Sequence, residues 1–175
     1  MEIERLPRYP FRKNTYVVDH ISYCMNKVLE KEYFDFVYSS IPRTSGNFRK
    51  PHLTVAYSYQ KIDVFPDMDY EGEVYTSIPK ENILTISSDV LSYGIYKDPT
   101  GMDHLVMYTP HTQVLAHFQY YQQHNAIWPH GEYNPFIIVE SDSRHHPSDV
   151  LSYPKPRQLV FDLLRYCRFG EVVDE

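Results

Sequence analysis

A histidine and a threonine two positions apart, His52 and Thr54, are the side chains whose types and spacing best suit proton-transfer chemistry. They open the segment at 51–58, whose apolar and aromatic residues indicate a β-strand. Because residues two apart in a strand point to the same face, we expect the imidazole and the hydroxyl side by side, with Tyr57 on the opposite face. An imidazole can act as a general base or a general acid near neutral pH.

A degenerate copy of this segment follows at 135–141. It keeps the opening proline and the valine, but Phe136 stands at the position of His52, and Ile138 at that of Thr54. A phenyl ring cannot carry a proton, and the isoleucine side chain cannot hydrogen-bond an anionic oxygen. The repeat therefore predicts two related half-sites, of which only the first keeps its polar groups.

The composition restricts the class of protein. A chain of 175 residues fits one domain, which we expect over 1–175, or two small lobes that share a core. A net charge of −6 argues against binding a long nucleic-acid duplex but allows a small anion in a local basic pocket. For Cys24, on the apolar face of a helix, and Cys167 we expect free thiols, with a disulfide as the alternative.

Tyrosine is unusually frequent, at 17 residues beside nine phenylalanines and one tryptophan. Tyrosines are enriched at protein interfaces and on base-stacking surfaces because they combine apolar area with a polar tip. A strand-rich domain that favours Tyr over Phe gives the same composition, so both interpretations stay open.

Several function classes lack their motifs. The sequence has no glycine-rich phosphate loop, no GxSxG nucleophile motif and no His/Cys/Asp/Glu cluster with metal-ligand spacing, so we expect neither cofactor nor metal. No apolar run approaches the length of a membrane span, and residues 1–5 lack the apolar core of a secretory signal. We therefore expect a cytoplasmic protein without a membrane partner.

Periodicity and turn signals give the order of elements. In the first part we expect an arm at 1–13, a strand at 15–20, a helix at 22–34 capped by Ser22, a strand at 36–41, a basic loop at 42–50 and the strand at 52–59. In the second part we expect strands at 73–78, 83–87, 90–96 and 104–109, a helix from about 112 to 124, an aromatic loop at 128–133, a strand at 135–141, a polar loop at 142–156, a closing strand or helix at 157–169 with the strand favoured, and a frayed acidic tail at 170–175.

This order predicts an α+β fold of antiparallel sheets with two main helices. The strands at 90–96 and 104–109 are expected to form a hairpin around the turn at 98–101. Two half-repeats each combine a helix with a following strand that opens on a proline.

In this arrangement the chain resembles the two-lobed 2H phosphoesterases, the LigT-like enzymes named for two His-x-Thr/Ser motifs on paired strands. It is most similar to the small phage members that degrade the cyclic oligonucleotide signals of bacterial CBASS defence. The likeness covers roughly residues 14–169. It includes Tyr16 in the first strand, Tyr96 before a turn, and Tyr133-Asn134-Pro135-Phe136-Ile137-Ile138 where those enzymes have Tyr-x-Pro-His-x-Thr.

The resemblance implies different catalytic roles for the histidines and the hydroxyl groups of the site. In the family, two histidines act as general base and general acid on one phosphate, and the two hydroxyls hold its non-bridging oxygens. His52 and Thr54 match the first motif as catalytic residues, whereas the second motif is degenerate. Since one group cannot remove and donate a proton in the same step, catalysis would need a replacement acid. Its first candidate is His130, ahead of His117, His124, His145 and His146.

The resemblance also implies a ligand with bases and phosphates. Arg49 and Lys50, with Arg43, form the best local basic patch directly before the motif and would supply positive charge at the mouth. Tyr16, Tyr96 and Trp128 would offer base-stacking surfaces. Ordinary packing is the alternative role for each of these aromatic residues.

Two functional hypotheses follow. The first is a 2H phosphoesterase-like protein that acts on, or binds, a cyclic nucleotide, a cyclic oligonucleotide or an RNA-end phosphate, in the host cytoplasm if it is phage-encoded. The alternative is a catalytically inactive protein of this fold, such as a component of a phage particle, that binds proteins through a Tyr-rich surface. An open cleft at His52 with Thr54 and Tyr16 at its floor favours the ligand, and a cleft filled by Phe136 favours the structural role.

Overall fold

The computed structural model describes residues 15–68 and 71–172, so the expected arm at 1–13 and the last residues of the expected tail lie outside the described residues. The strands are β1 (Thr15–Cys24), β2 (Asn47–Phe48), β3 (Leu53–Ser58), β4 (Gly72–Ser77), β5 (Leu84–Ser87), β6 (Ser92–Lys97), β7 (Asp103–Tyr108), β8 (Phe136–Ser141), β9 (Gln158–Phe161) and β10 (Leu163–Val172). The helices are α1 (Lys27–Ser40), α2 (Thr112–Gln123) and the short α3 (Pro147–Val150).

The strands form two four-stranded antiparallel sheets and one small pair. The first sheet has the order β3-β1-β10-β4, the second sheet has the order β2-β8-β7-β6, and β5 pairs with β9. Buried apolar residues of both sheets and both long helices belong to one cluster, which includes Ile21, Val37, Leu53, Leu105 and Ile137. The predicted α+β class with antiparallel sheets is thus confirmed.

The two half-repeats share a strand–helix–strand unit. β1, α1 and β3 form the first unit, and β7, α2 and β8 form the second. The correspondence holds residue by residue, because His104 follows His20 and Phe136 follows His52 by the same 84 positions. Both half-repeats also contain a bulge at the equivalent place, where Val55 of β3 and Val139 of β8 have no partner in the neighbouring strand.

The bulge corrects the expected orientation of Tyr57. In the register of β1 and β3, Ser22 faces Thr54 while His20 faces Tyr57, with Val55 as the extra residue. His20 and Ser22 are two apart on one strand, so their partners Tyr57 and Thr54 lie on the same face of the sheet. Simple alternation placed Tyr57 on the wrong face because it did not include the extra residue.

The start of α1 was predicted wrongly. Ser22 belongs to β1, where it pairs with Arg165 of β10, and the helix is capped by Asn26, whose side chain accepts the N–H of Leu29 at 2.9 Å. Asp162 fixes this cap by accepting from the backbone N–H of Asn26 at 2.9 Å and from its side-chain amide at 2.6 Å.

The predicted strand at 36–41 is also wrong, because α1 continues through Ser40. Tyr33, Val37 and Ile41 are buried at a spacing of four residues, which fits a helix rather than a strand.

Most of the remaining elements follow the predictions, but β2 lies within the segment 42–50 and α3 within the segment 142–156, both of which were expected to be loops. β6 and β7 form the expected hairpin, α2 occupies the expected helix, and residues 157–169 are strands rather than a helix. β10 continues through Val172, so residues 170–172 of the expected tail are strand. Among the described residues, no helix has both the length and the apolar character needed to cross a membrane.

Candidate ligand-binding cleft

The degenerate and the intact motif line one open cavity of about 340 Å³, which we call the aromatic cavity. His52 and Thr54 lie on one side of it, and Phe136 and Ile138 on the other. The remaining lining residues are Tyr57, Tyr96, Pro99, Tyr108, Trp128, His130, Glu132, Tyr133, Asn134 and Pro135. The cavity is thus polar on the side of His52 and Thr54, and its remaining wall is predominantly aromatic.

His52 stands immediately before β3 and is half-buried. Its Nδ1 donates a long hydrogen bond of 3.4 Å to the carbonyl of Lys50, which leaves Nε2 as the nitrogen that can exchange a proton with a ligand. Burial lowers the pKa of His52, and the positive charges of Arg165 and Arg49 lower it further, against the opposing effect of the Lys50 carbonyl. The neutral imidazole is therefore favoured at pH 7.

His20 of β1 joins this site, although the sequence did not single it out. Its Nε2 lies 2.9 Å from Oγ1 of Thr54, and its ring centroid is 6.1 Å from that of His52. Burial lowers the pKa of His20 to about 3, with smaller contributions from the charges of His52 and Arg165. With a neutral His20 donating from Nε2, the O–H of Thr54 is available to a ligand oxygen.

A sequence signal for His20 did exist. The repeat of 84 positions that relates His52 to Phe136 also relates His20 to His104, so each half-repeat has a histidine on its first strand. In the second half this histidine stabilises the β6–β7 hairpin, because Nε2 of His104 forms a hydrogen bond of 2.8 Å with the carboxylate of Asp98 in its turn. His104 is not among the residues that line the aromatic cavity.

Phe136 forms part of an aromatic wall. Its ring centroid is 5.0 Å from that of Tyr96 and 6.0 Å from that of Tyr108. This wall provides ring faces for stacking but no group that exchanges a proton near neutral pH. The second half of the site is therefore apolar, whereas the first half is polar.

His130 is the further imidazole of this cavity. Its ring lies 4.8 Å from Tyr57 and 5.0 Å from Trp128, centroid to centroid. Burial lowers its pKa, partly opposed by the negative charge of Glu171. His130 is thus placed in the same cavity as His52, on an exposed loop.

The aromatic loop is held by a stack of rings. Tyr133 and Phe118 stack with centroids 3.9 Å apart and planes 2° apart, and Trp128 meets both rings edge-on. The Tyr133 hydroxyl donates to the carbonyl of Thr54 at 2.7 Å, which ties the loop to β3. The indole Nε1 of Trp128 is buried and finds no hydrogen-bond partner among the described residues.

The structure brings together only part of the predicted ligand-binding set. Tyr96, Trp128 and His130 line the aromatic cavity, whereas Arg49 and Lys50 line a neighbouring cavity that also contains His52. Tyr16 packs against Tyr59 with ring centroids 5.6 Å apart and lines neither cavity. Arg43 instead donates to the carbonyl of Gly46 at 3.4 Å.

The other histidines serve local structure away from this cleft. His117 contacts the hydroxyl of Tyr23, His124 packs on Tyr120, His145 bonds to buried Glu140, and His146 caps α3. Across residues 15–68 and 71–172, no group of three or more His, Cys, Asp or Glu side chains is arranged to hold a metal ion.

Both cysteines are free thiols, but Cys24 lies in a different element from the one expected. Cys24 is the last residue of β1 rather than part of a helix, because pairing with β10 extends the strand to that position. Burial raises the pKa of both thiols, so neither resembles an activated nucleophile.

Comparisons with known proteins bear on the fold. No protein-family model matches the chain, and no curated protein matches it. A solved structure described as "Crystal structure of phosphoesterase" is similar to it, with a TM-score of 0.50 and 8% identity, over 90% of this chain and 95% of the other. At that identity the likeness shows the fold alone, which is phosphoesterase-like.

Proposed function

We propose that this chain is a 2H phosphoesterase-like protein that binds a nucleotide phosphate in the aromatic cavity. His52 and Thr54 would contact the phosphate, and the degenerate second motif would act as a stacking wall for the base. The single observation that carries this proposal is that both motifs line one open cavity, with a proton carrier on one side and aromatic rings on the other.

The chemistry of the cavity suits both parts of a nucleotide. The hydroxyl of Thr54 can donate to a phosphate oxygen, and Nε2 of His52 can donate once the ring takes up a proton, which a neighbouring phosphate anion favours. Hydrogen bonds to a charged group contribute about 1.5–3 kcal/mol each. Stacking of a base on an aromatic side chain contributes about 1–3 kcal/mol.

The open cavity favours this function over a purely structural role. Phe136 is half-buried and packs against Tyr96, yet a volume of about 340 Å³ remains between it and the intact motif. A cleft recruited only as a scaffold would be expected to close over such apolar groups, since exposing them to water is unfavourable. Binding of proteins through the Tyr-rich surface is the alternative.

A second candidate function is slow phosphodiester hydrolysis. The observation that favours it is His130, a second imidazole in the cavity of His52. One histidine would remove a proton from the attacking oxygen, and the other would donate a proton to the leaving oxygen. Cyclic nucleotides and cyclic oligonucleotides are the substrates to test.

The test is calorimetric titration with 2′,3′-cyclic nucleotides and with cyclic di- and trinucleotides, followed by an assay of turnover. We expect His52→Ala to weaken binding by about tenfold or more, and His124→Ala, at the end of α2, to leave it unchanged. If the wild type hydrolyses a member of the panel and each of the single substitutions His52→Ala and His130→Ala abolishes this turnover, the protein is a hydrolase that uses both histidines. Absence of binding to every member of the panel would refute the proposal.

A further inference from the structure

A second cavity of about 630 Å³ adjoins the aromatic cavity, and His52 lines both. We call it the basic cavity, because its charged lining residues are Lys27, Arg49, Lys50 and Arg165 against the single carboxylate of Glu30. Positive charge is thus concentrated beside His52 in a chain whose net charge is −6.

Two of these cations are free to meet a ligand. Lys27 lies 3.6 Å from Glu30, and Arg165 lies 2.6 Å from Glu73. Within the described part of the chain, no carboxylate oxygen comes within 4.0 Å of the cationic nitrogens of Arg49 or Lys50. The guanidinium group of Arg49 donates to the neutral hydroxyl of Ser141 at 3.1 Å. Even when Glu73 is included, the cavity has four cationic side chains and only two carboxylates nearby.

Arg165 connects this charge to the intact motif. In the first sheet, Arg165 pairs with Ser22 of β1, and Ser22 pairs with Thr54 of β3, so the three side chains lie on one face of the sheet. His20 and Cys167 form the neighbouring pair on that face. The positive charge of Arg165 contributes to the lowered pKa of both His20 and His52, after burial as the main cause.

We propose that the basic cavity is a second anion site, which binds one phosphate of a ligand whose other phosphate lies at His52 and Thr54. The ligand class is therefore a nucleotide with at least two phosphate groups. This inference rests on the proposed function. Guanidinium groups bind phosphate oxygens in a bidentate manner, and Lys50 adds a mobile point charge.

Two kinds of ligand share this chemistry. In a linear dinucleotide with a 5′-phosphate, the two phosphates are separated by a ribose, whereas in a nucleoside diphosphate they are adjacent. Titrations with AMP, ADP and the dinucleotide pApA distinguish these sources. If the affinity for pApA exceeds that for AMP by more than the affinity for ADP does, the ligand is a dinucleotide. If ADP shows the larger increase in affinity over AMP, the ligand is a nucleoside polyphosphate.

The variant Arg49→Gln/Lys50→Gln tests the site. We expect the wild type to bind the preferred two-phosphate ligand about tenfold or more tightly than AMP, and we expect this ratio of affinities to fall to about threefold or less in the variant. The matched control is Lys61→Gln/Lys80→Gln, which removes two exposed lysines outside both cavities and should keep the gain. Thermal melting verifies that each variant is folded.

The outcomes separate this inference from the function on which it rests. If AMP binds but neither pApA nor ADP binds more tightly, the second site is refuted and nucleotide binding stands. If the variant and its control lose affinity equally for all three ligands, long-range charge explains the effect and the site is again refuted. If no nucleotide binds the wild type, the proposed function itself fails.

Discussion

At the scale of single residues, the intact motif consists of three groups rather than two. Thr54 is hydrogen-bonded by His20 and lies beside His52 in the cavity. In this arrangement one imidazole orients the hydroxyl while the other remains available to a ligand. Because His20 is nearly fully buried, it would act on a ligand through Thr54.

We expect the hydroxyl group of Thr54 to contribute more to ligand affinity than the volume of its side chain. Thr54→Val keeps the volume but removes the donor, so we expect the Kd for 2′,3′-cyclic AMP to rise about 10- to 100-fold. Thr54→Ser keeps the donor and should stay within about threefold of the wild type. Calorimetry measures both, and an unchanged Kd in the valine variant would remove Thr54 from the binding site.

The buried His20 should make stability depend on pH. Its folded pKa of about 3 lies below its ordinary value of 6.5, so the unfolded chain binds the extra proton first as the pH falls. Its contribution to stability is complete above pH 6.5 and decreases toward pH 3, by at most about 1.4 kcal/mol per pH unit. Urea unfolding between pH 4.5 and 7.5 should show a steeper decrease for the wild type than for His20→Gln. Equal slopes would contradict this assignment.

At the scale of elements, a buried polar network joins the basic loop to β8. Glu140 is fully buried and accepts from the backbone N–H of Thr44 at 3.1 Å, from its hydroxyl at 2.8 Å and from Nε2 of His145 at 2.7 Å. The other nitrogen of His145 bonds to Tyr153 at 2.7 Å. This network fixes the loop that ends at the basic cavity.

Removal of one partner should therefore destabilise the fold. We expect His145→Ala to lower the free energy of unfolding by about 3 kcal/mol, because it leaves the carboxylate of Glu140 buried with fewer partners. His146→Ala removes the exposed neighbouring imidazole that caps the four-residue α3 and should cost about 1 kcal/mol or less. Urea denaturation compares the two. A similar small loss in both variants would show that the network contributes little.

Elements that are determined by their own segment could be predicted from the sequence, whereas elements fixed by distant residues could not. The motif strand, the hairpin and α2 could be predicted because their patterns and turns lie within each segment. The start of α1 could not, since its cap at Asn26 is fixed by Asp162, 136 residues later. The role of Arg165 was missed for the same reason, because it reaches the motif only through pairing of β10 with β1.

At the scale of the whole molecule, the fold is a duplicated unit with one polar and one apolar half. The abundance of tyrosine has no single cause. Tyr57 and Tyr96 line the aromatic cavity, Tyr33 is in the core, and Tyr38 is exposed on α1. Composition alone could therefore not distinguish a stacking surface from ordinary packing.

The similarity of the two halves predicts that a second motif can be introduced into the apolar half. Phe136→His/Ile138→Thr places a second His-x-Thr motif at the equivalent positions of β8, opposite His52 in the cavity. Since a general acid typically contributes about 10²–10⁴-fold, hydrolysis of 2′,3′-cyclic nucleotides should rise at least about 100-fold over the wild type. Adding His52→Ala should abolish the gain. A folded, ligand-binding variant without turnover would show that the two halves are not positioned for one phosphate.

Binding of a nucleotide phosphate at His52 can be tested by NMR of the histidine side chains during titration with 2′,3′-cyclic AMP. We predict that the ring signals of His52 shift along a saturable curve, while those of His124 and His145 stay constant. Saturating ligand without a shift at His52, or with equal shifts at all three residues, would contradict it.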